Sequence, residues 1–500
     1  MSVIESIIFT PDSSADAVLT AEAVEFLIAL HHRFECARRD LLAARAARQT
    51  EFDSGRPPEF LEATTAVREG QWRVPAPPDA LRDRRVELIG PAARNTMAEA
   101  LTSGVNVFIA DLGDASSPTW ENMLRSQVNL SDAARGGLAQ TGTGPRTTMM
   151  VMPRGLHLVE KHVSVDGDPI AASLFDFGLY CLHNARTLMD RGSGPYLCLP
   201  KLEGHLEARL WNEVTAFTED ALELDRGSIR TTVQIETISA AFEIDEIIYE
   251  LRERICGLGA GRWGYVASIA KAFRLDPAFV LPDRALVGTG APFMRALTEL
   301  LVETAHRRGT HAIGTSADRL EARRLASEGF DGTRITRATH VSAVRAEFDK
   351  VLGGAPHQLT RQRPEPRVSA ADLLTVTRPE GGCTQAGLDR NIDVIIGYLA
   401  GWLAGTGSVT FDELPQDASA AELCCAQVWQ WVHHRIPLTP GGTVVTDELV
   451  RQRADKTVSQ LSAAGHDRTV LQRARAVLDE VALAEHPPTF LTLTAYELID

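Results

Sequence analysis

A chain of 500 residues is longer than one hydrophobic core usually serves, so its length predicts about two to four domains or one large barrel with additions. With 44% hydrophobic and 23% charged residues the composition is that of an ordinary globular protein, which excludes a disordered chain and a small disulfide scaffold. Lys and Arg number 51 against 66 Asp and Glu, and the resulting net charge of −15 repels a phosphate backbone, so nucleic acid is not an expected partner.

No stretch approaches the ~18 consecutive apolar residues of a membrane-spanning helix, so no membrane partner is expected. The 7 cysteines are odd in number and contain no CxxC pair, which predicts neither a zinc ribbon nor a disulfide framework. Met1 to Ser14 carries no Lys or Arg ahead of its short apolar run, unlike a secretory signal, and a cytoplasmic location is expected.

In chain order, the first element is a helix from Thr20 to Gln49, with Val24, Leu27, Ile28, Phe34, Leu41 and Leu42 at helical spacing and Thr20 as a start signal. Pro57-Pro58 and Pro75-Ala76-Pro77-Pro78 end that pattern. Short strand-like runs then alternate with helix-sized stretches. The runs are Val86–Ile89, Val105–Asp111, Thr147–Met152, Tyr196–Leu199, Thr231–Ile235, Ile255–Leu258, Thr310–Ile313 and Gly332–Ile335. Eight of them predict an α/β fold of the (β/α)₈ TIM-barrel type, with an open doubly wound sheet as the alternative. A polar stretch from His357 to Arg367 precedes helical patterns at Asn391–Leu403, Ala418–His434 and Val470–Ala484. The expected division is a helical clasp over 1–80, the barrel over 81–355 and a helical carboxy-terminal domain over 356–500.

Active sites of such barrels lie at the carboxy ends of the strands, which singles out Asp111, Asp114, Arg154, His157, Lys201, Glu203, Glu236, Arg262 and Asp331. Carboxylates there can hold Mg²⁺ or merely cap the following helices. Gly259-Ala260-Gly261-Arg262-Trp263-Gly264 is a literal GxGxxG, but it follows about five strands rather than one, so a tight strand-end loop is preferred to a nucleotide site. His433-His434 sits on adjacent helix positions that do not share a face, which argues against a metal pair. Cys424-Cys425 has no neighbour in sequence that would lower a thiol pKa, and buried packing is expected.

Several strings resemble the malate synthase family, A type. They are Val86-Glu87-Leu88-Ile89-Gly90-Pro91, Ser117-Pro118-Thr119-Trp120-Glu121-Asn122, Arg154-Gly155-Leu156-His157-Leu158 with Glu160-Lys161-His162, Gly192-Ser193-Gly194-Pro195-Tyr196, Leu281-Pro282-Asp283-Arg284, and Trp429-Gln430-Trp431 with His433-His434. The resemblance implies a helical clasp, a TIM barrel and a helical plug. It also implies a condensation of acetyl-CoA with glyoxylate in which a plug carboxylate is the base, an Arg stabilises the enolate, and Mg²⁺ held by a Glu and an Asp polarises the aldehyde. The base maps to Asp417 and the metal Glu to Glu236.

The remaining positions depart from that pattern. The family's Arg falls at Met152, the second metal carboxylate at Gly264, the Glu of Asp-Phe-Glu-Asp at Gly113 between Asp111 and Asp114, and the Asn before Cys-Gly at Gly259. The Glu before the base is Gln416, and Trp-Ile-Ala-His-Pro-Gly-Leu reads Arg334-Ile335-Thr336-Arg337-Ala338-Thr339-His340. The resemblance with these changes implies an enzyme that removes a proton next to a carbonyl and makes or breaks a carbon–carbon bond on a small oxo acid or acyl thioester. Asp417 and Arg154 are then catalytic, and Met152, Gly264, Arg262, Trp263, Asp111 and Asp114 meet the small-molecule substrate. Mg²⁺ at Glu236 is weakened, and a CoA thioester is one candidate substrate. The alternatives are ordinary malate synthase, with Arg154 in place of the lost Arg, and a non-catalytic relative.

Overall fold

Eight parallel strands close into a barrel in the computed structural model, which describes the chain apart from residues 1–6, 11, 13–14, 139–145, 289, 363–367 and 412–413. Most of Met1 to Ser14, and the 363–367 part of the polar stretch after His357, thus lie outside the described residues. The strands are β1 (Val86–Pro91), β2 (Val107–Asp111), β3 (Thr148–Met152), β4 (Tyr196–Leu199), β5 (Arg230–Ile235), β6 (Ile255–Ala260), β7 (His311–Thr315) and β8 (Gly332–Ile335). Each pairs with the next, and β8 closes on β1 with Arg334 opposite Glu87. The eight expected runs are these eight strands, which makes the closed barrel correct and the open sheet not.

The two-residue period of a strand divides each β element between the helices outside and the barrel interior. The interior is itself divided. Val107, Ile109, Met150, Met152, Tyr196 and Cys198 on β2 to β4 form an apolar cluster. Adjoining it, the buried Glu87 carboxylate accepts from Arg84 Nε (2.6 Å) and Arg334 Nε (2.9 Å), and Arg84 also reaches Thr232 Oγ1 at 2.9 Å. Burial pushes the Glu87 carboxyl up, but the two guanidinium groups outweigh it and hold it below the usual range.

The clasp is α1 (Ala21–Asp53), begun where the Thr20 hydroxyl accepts from the Ala23 N–H at 3.2 Å. It crosses the barrel helix Ala172–Asp190 at Gly178, where a Cβ would stand 2.7 Å from Leu30 Cδ1, so only glycine lets the two helices approach this closely. Arg45 then pins α1 to Glu207 at 2.6 Å.

On the other side, α2 (Arg262–Ala272) leaves β6 and packs against the plug, whose helices are α3 (Gln385–Leu403), α4 (Ala418–His433), α5 (Asp447–Ala463) and α6 (Arg468–Ala482). Ile392, Ile395, Leu399, Cys424, Val428 and Trp431 belong to a separate plug core. Trp431 Nε1 donates to the Leu281 carbonyl at 2.8 Å, Gln427 Nε2 to Pro282 O at 2.5 Å, and Thr384 Oγ1 to Asp283 at 2.6 Å. The Leu281-Pro282-Asp283-Arg284 run is therefore where the plug docks. Cys424 and Cys425 are buried as expected, and His433 stacks on Trp429 with centroids 4.5 Å apart.

The strands Val159–Val165 and Asp168–Ala171, with Ile7–Phe9, form a small antiparallel sheet beside the barrel that the sequence reading missed. A signal was present: Asp166-Gly167, both at positive φ (52° and 90°), is the Asp-Gly turn that favours a tight hairpin.

Candidate active site

The carboxy ends of the strands and the amino end of α4 enclose a cavity of about 210 Å³. Asp111, Asp114, Met152, Glu236, Arg262, Trp263, Gly264 and Asp417 all line it, so residues spread over more than 300 positions are brought to one place. Arg154 lines a smaller adjoining cavity with Asp114, Met152, Lys201 and Ala418, whereas Asp331 lines neither: it precedes β8 at the opposite end of the barrel, bound to His306 at 3.1 Å and to the Ala312 N–H at 2.8 Å. Asp331 is a buried structural carboxylate.

Asp111 ends β2 and turns the chain: its carboxylate accepts from the N–H groups of Gly113 (2.8 Å), Asp114 (3.0 Å) and Ala115 (3.0 Å). Burial and the neighbouring Asp114 carboxylate push it up to about 7. Asp114 faces the plug, its Oδ2 accepting from Ser419 Oγ and from Lys201 Nζ, both at 2.7 Å. Lys201 follows β4 with φ of 54°, a left-handed conformation uncommon away from glycine. That geometry aims its own N–H at Glu236 Oε1 (2.8 Å) while its ammonium holds Asp114. Glu236 is raised by burial and by Asp114, against the pull of Lys201.

Asp417 caps α4, its carboxylate accepting from the Ala420 N–H at 3.0 Å. Its pKa is raised, first by burial and then by Asp114. A capping carboxylate that faces a cavity with a raised pKa is suited to proton transfer as well as to starting a helix.

Arg154, expected beside the reacting atoms, is committed elsewhere. Nε and Nη2 grip Asp176 at 2.9 and 2.7 Å, and Nη1 binds Glu160 at 2.7 Å, all three side chains being buried. Each nitrogen already serves a carboxylate, so this guanidinium is not free to meet a substrate oxygen. His157 is half-buried and stacked on Phe490 at 3.9 Å, its two ring nitrogens shielded and not hydrogen-bonded, and desolvation pushes its pKa well down. Glu203 turns away to Arg45 of α1 at 3.5 Å.

The glycines of the GxGxxG run space side chains rather than cradle a phosphate. A Cβ at Gly259 would lie 2.2 Å from Gln234 Oε1, one at Gly261 would lie 2.4 Å from Glu236 Cβ, and one at Gly264 would lie 3.0 Å from Glu236 Oε2. Trp263 next to them meets Arg262 and Arg284, whose guanidinium carbons stand 4.2 and 4.9 Å from its ring centroid. With Arg337 these put guanidinium groups on the cavity rim, where Glu321 also stands and pairs with Arg262 at 3.0 Å. Anionic small molecules fit that rim.

Family models now decide what the fold and cavity belong to. The malate synthase amino-terminal domain matches residues 10–66, the malate synthase TIM-barrel domain residues 148–376 and the malate synthase carboxy-terminal domain residues 382–499. The chain belongs to the malate synthase family. It is 42% identical to the malate synthase of Myxococcus xanthus over 97% of this chain and 94% of that protein, and 45% identical to that of Streptomyces clavuligerus over 96% of each. Malate synthase A of Escherichia coli is 37% identical over 96% of each chain. The coarse class that comes with membership is an acyltransferase-type enzyme.

Against this family background the fit of the residues to Mg²⁺ is poor. Among the described residues no group of three or more His, Cys, Asp or Glu is placed to hold a metal. Glu236 spends one oxygen on the Lys201 N–H, the Lys201 ammonium occupies Asp114, and Gly264 offers no carboxylate. Calorimetry is expected to find no tight stoichiometric Mg²⁺ binding, and Gly264→Asp, which adds a carboxylate beside Glu236, is expected to strengthen it. Tight binding by the wild-type protein that disappears in Glu236→Gln contradicts this assignment.

Proposed function

We propose that the chain condenses an acyl thioester with a 2-oxo acid, the malate synthase type of reaction, in the cavity between barrel and plug. The observation that carries this is Asp417, a carboxylate of raised pKa presented by the plug to strand-end residues of the barrel. Asp417 takes the proton from the carbon beside the thioester carbonyl, and the resulting carbanion forms the new bond to the oxo carbon of the acid. The oxo oxygen gains a proton, and water then cleaves the thioester to a carboxylate and a free thiol. The Arg side chains lining the cavity offset the negative charge that develops on oxygen. No step is assigned to Mg²⁺.

Similarity along nearly the whole chain supports acetyl-CoA with glyoxylate, hence malate, as the substrate pair. Met152 where the family places an Arg supports a second reading, a different acid or thioester handled by the same chemistry. The free state of all 7 cysteines suits the cytoplasmic location we assign. The test is thiol release and product mass with acetyl-CoA and glyoxylate, then with a panel of 2-oxo acids and thioesters, each with and without EDTA. Malate formation that survives EDTA is the expected result. Product with another pair only establishes the second reading, and no condensation with any pair overturns both.

A further inference from the structure

One of the cations that line the cavity lies inside the barrel. Arg334 on β8 is 2% exposed, yet it lines the mouth cavity beside Gln234 and Glu236. Its Nε is held by Glu87 and its Nη1 by the Gln234 side-chain oxygen, which leaves Nη2 buried without a partner. A buried guanidinium arm with nothing to donate to is unfavourable by itself and favourable once an anion is present. Burial works against its charge, but nearby Cys198, Glu87 and Glu236 outweigh that and hold its pKa above the ordinary value, so the group stays cationic.

The space for this side chain is made by a glycine. A Cβ at Gly259 would fall 2.6 Å from Arg334 Nη1 and 2.9 Å from its Cζ. Gly259 and Arg334 are thus two halves of one arrangement, in which the absence of a side chain at this point of β6 leaves room for a guanidinium from β8. Arg84, the other Arg on Glu87, has its own room at Gly257, where a Cβ would be 2.4 Å from its Nη1, but it does not line the cavity.

We propose that Arg334, seated in the space left by Gly259, is the residue that binds the carboxylate of the oxo-acid substrate, its Nη2 donating to an anionic oxygen. This rests on the oxo-acid reading above for the identity of the substrate, but its test does not require turnover. Calorimetry with oxalate, a small non-reacting dicarboxylate, is run on the wild-type protein and on Arg334→Met, Gly259→Asn and Arg84→Met. Arg84→Met serves as the control, since it removes a comparable charge from Glu87 without touching the cavity.

The expected result is oxalate binding by the wild-type protein that weakens at least ~30-fold in Arg334→Met and Gly259→Asn and stays within about threefold in Arg84→Met. A loss of that size corresponds to about 2 kcal/mol, in the range of a charge-assisted hydrogen bond. Where condensation is found, the KM for the acid should rise in Arg334→Met more than kcat falls. Wild-type protein that does not bind oxalate, binding unchanged in Arg334→Met, or equal loss in Arg84→Met overturns the assignment. Oxalate binding lost in Arg334→Met without condensation by the wild type leaves Arg334 in place and removes only the reaction.

Discussion

Asp417→Asn is expected to reduce turnover by at least ~10²-fold, the usual worth of a general base, while thermal stability stays nearly unchanged. The two halves of that expectation have different origins. Asn retains a side-chain oxygen able to accept from the Ala420 N–H, and Asn and Asp are near equals as helix caps, so α4 should begin as before. The amide cannot take up a proton from carbon, so the chemistry stops. Because burial and Asp114 raise the Asp417 pKa, and the base works only when ionised, wild-type activity should decline on the acid side at a pH above the ordinary carboxylate range. Full activity in Asp417→Asn locates the base elsewhere. A large drop in melting temperature shows that capping outweighs any chemical role.

Arg154→Met is expected to destabilise the protein by about 3–5 kcal/mol, through stability rather than through the chemical step. The substitution leaves the buried carboxylates of Asp176 and Glu160 beside each other without their shared cation. Breaking a buried pair from one side is costlier than never having built it, because the remaining charge cannot be rehydrated. Replacing Arg154, Asp176 and Glu160 together with apolar residues should therefore recover much of the loss. Chemical denaturation of the single and triple variants measures both effects. Wild-type stability with lost turnover in Arg154→Met would falsify the structural assignment and return Arg154 to the reacting atoms.

The barrel was legible in the sequence because a parallel strand buried on both faces is written as a short apolar run, and eight such runs separated by helix-length stretches admit few closures. The plug helices were legible for a similar reason, α3 covering one expected helical stretch and α4 and α6 each matching another to within two residues at either end. Asp331 was misplaced because a polar residue between two strands can lie after one or before the next, and only the strand ends show which. The hairpin over 159–171 was missed because its first strand carries a polar run, Glu160, Lys161 and His162, between valines and so does not resemble a buried barrel strand.

At the site, the sequence by itself determined what is present and what is absent: Asp417 and Glu236 are there, and Met152, Gly264, Gly113 and Gly259 carry no charge. It also placed Glu236, with Asp111 and Asp114, just after strand runs, since chain order specifies the end of a strand, while Asp417 was assigned to the plug through the family resemblance. Partnership is another matter, because a carboxylate and a guanidinium choose each other by distance, and distance depends on how the barrel closes. Only the tertiary structure therefore decided that Arg154 belongs to Asp176 and Glu160, that Lys201 stands between Asp114 and Glu236, and that Arg334 reaches Gln234 from 100 positions away through the space Gly259 leaves. Once buried, each polar group must find a partner, and although Glu87 meets the charge of Arg334, the closed barrel leaves its Nη2 without a hydrogen-bond partner among the described residues.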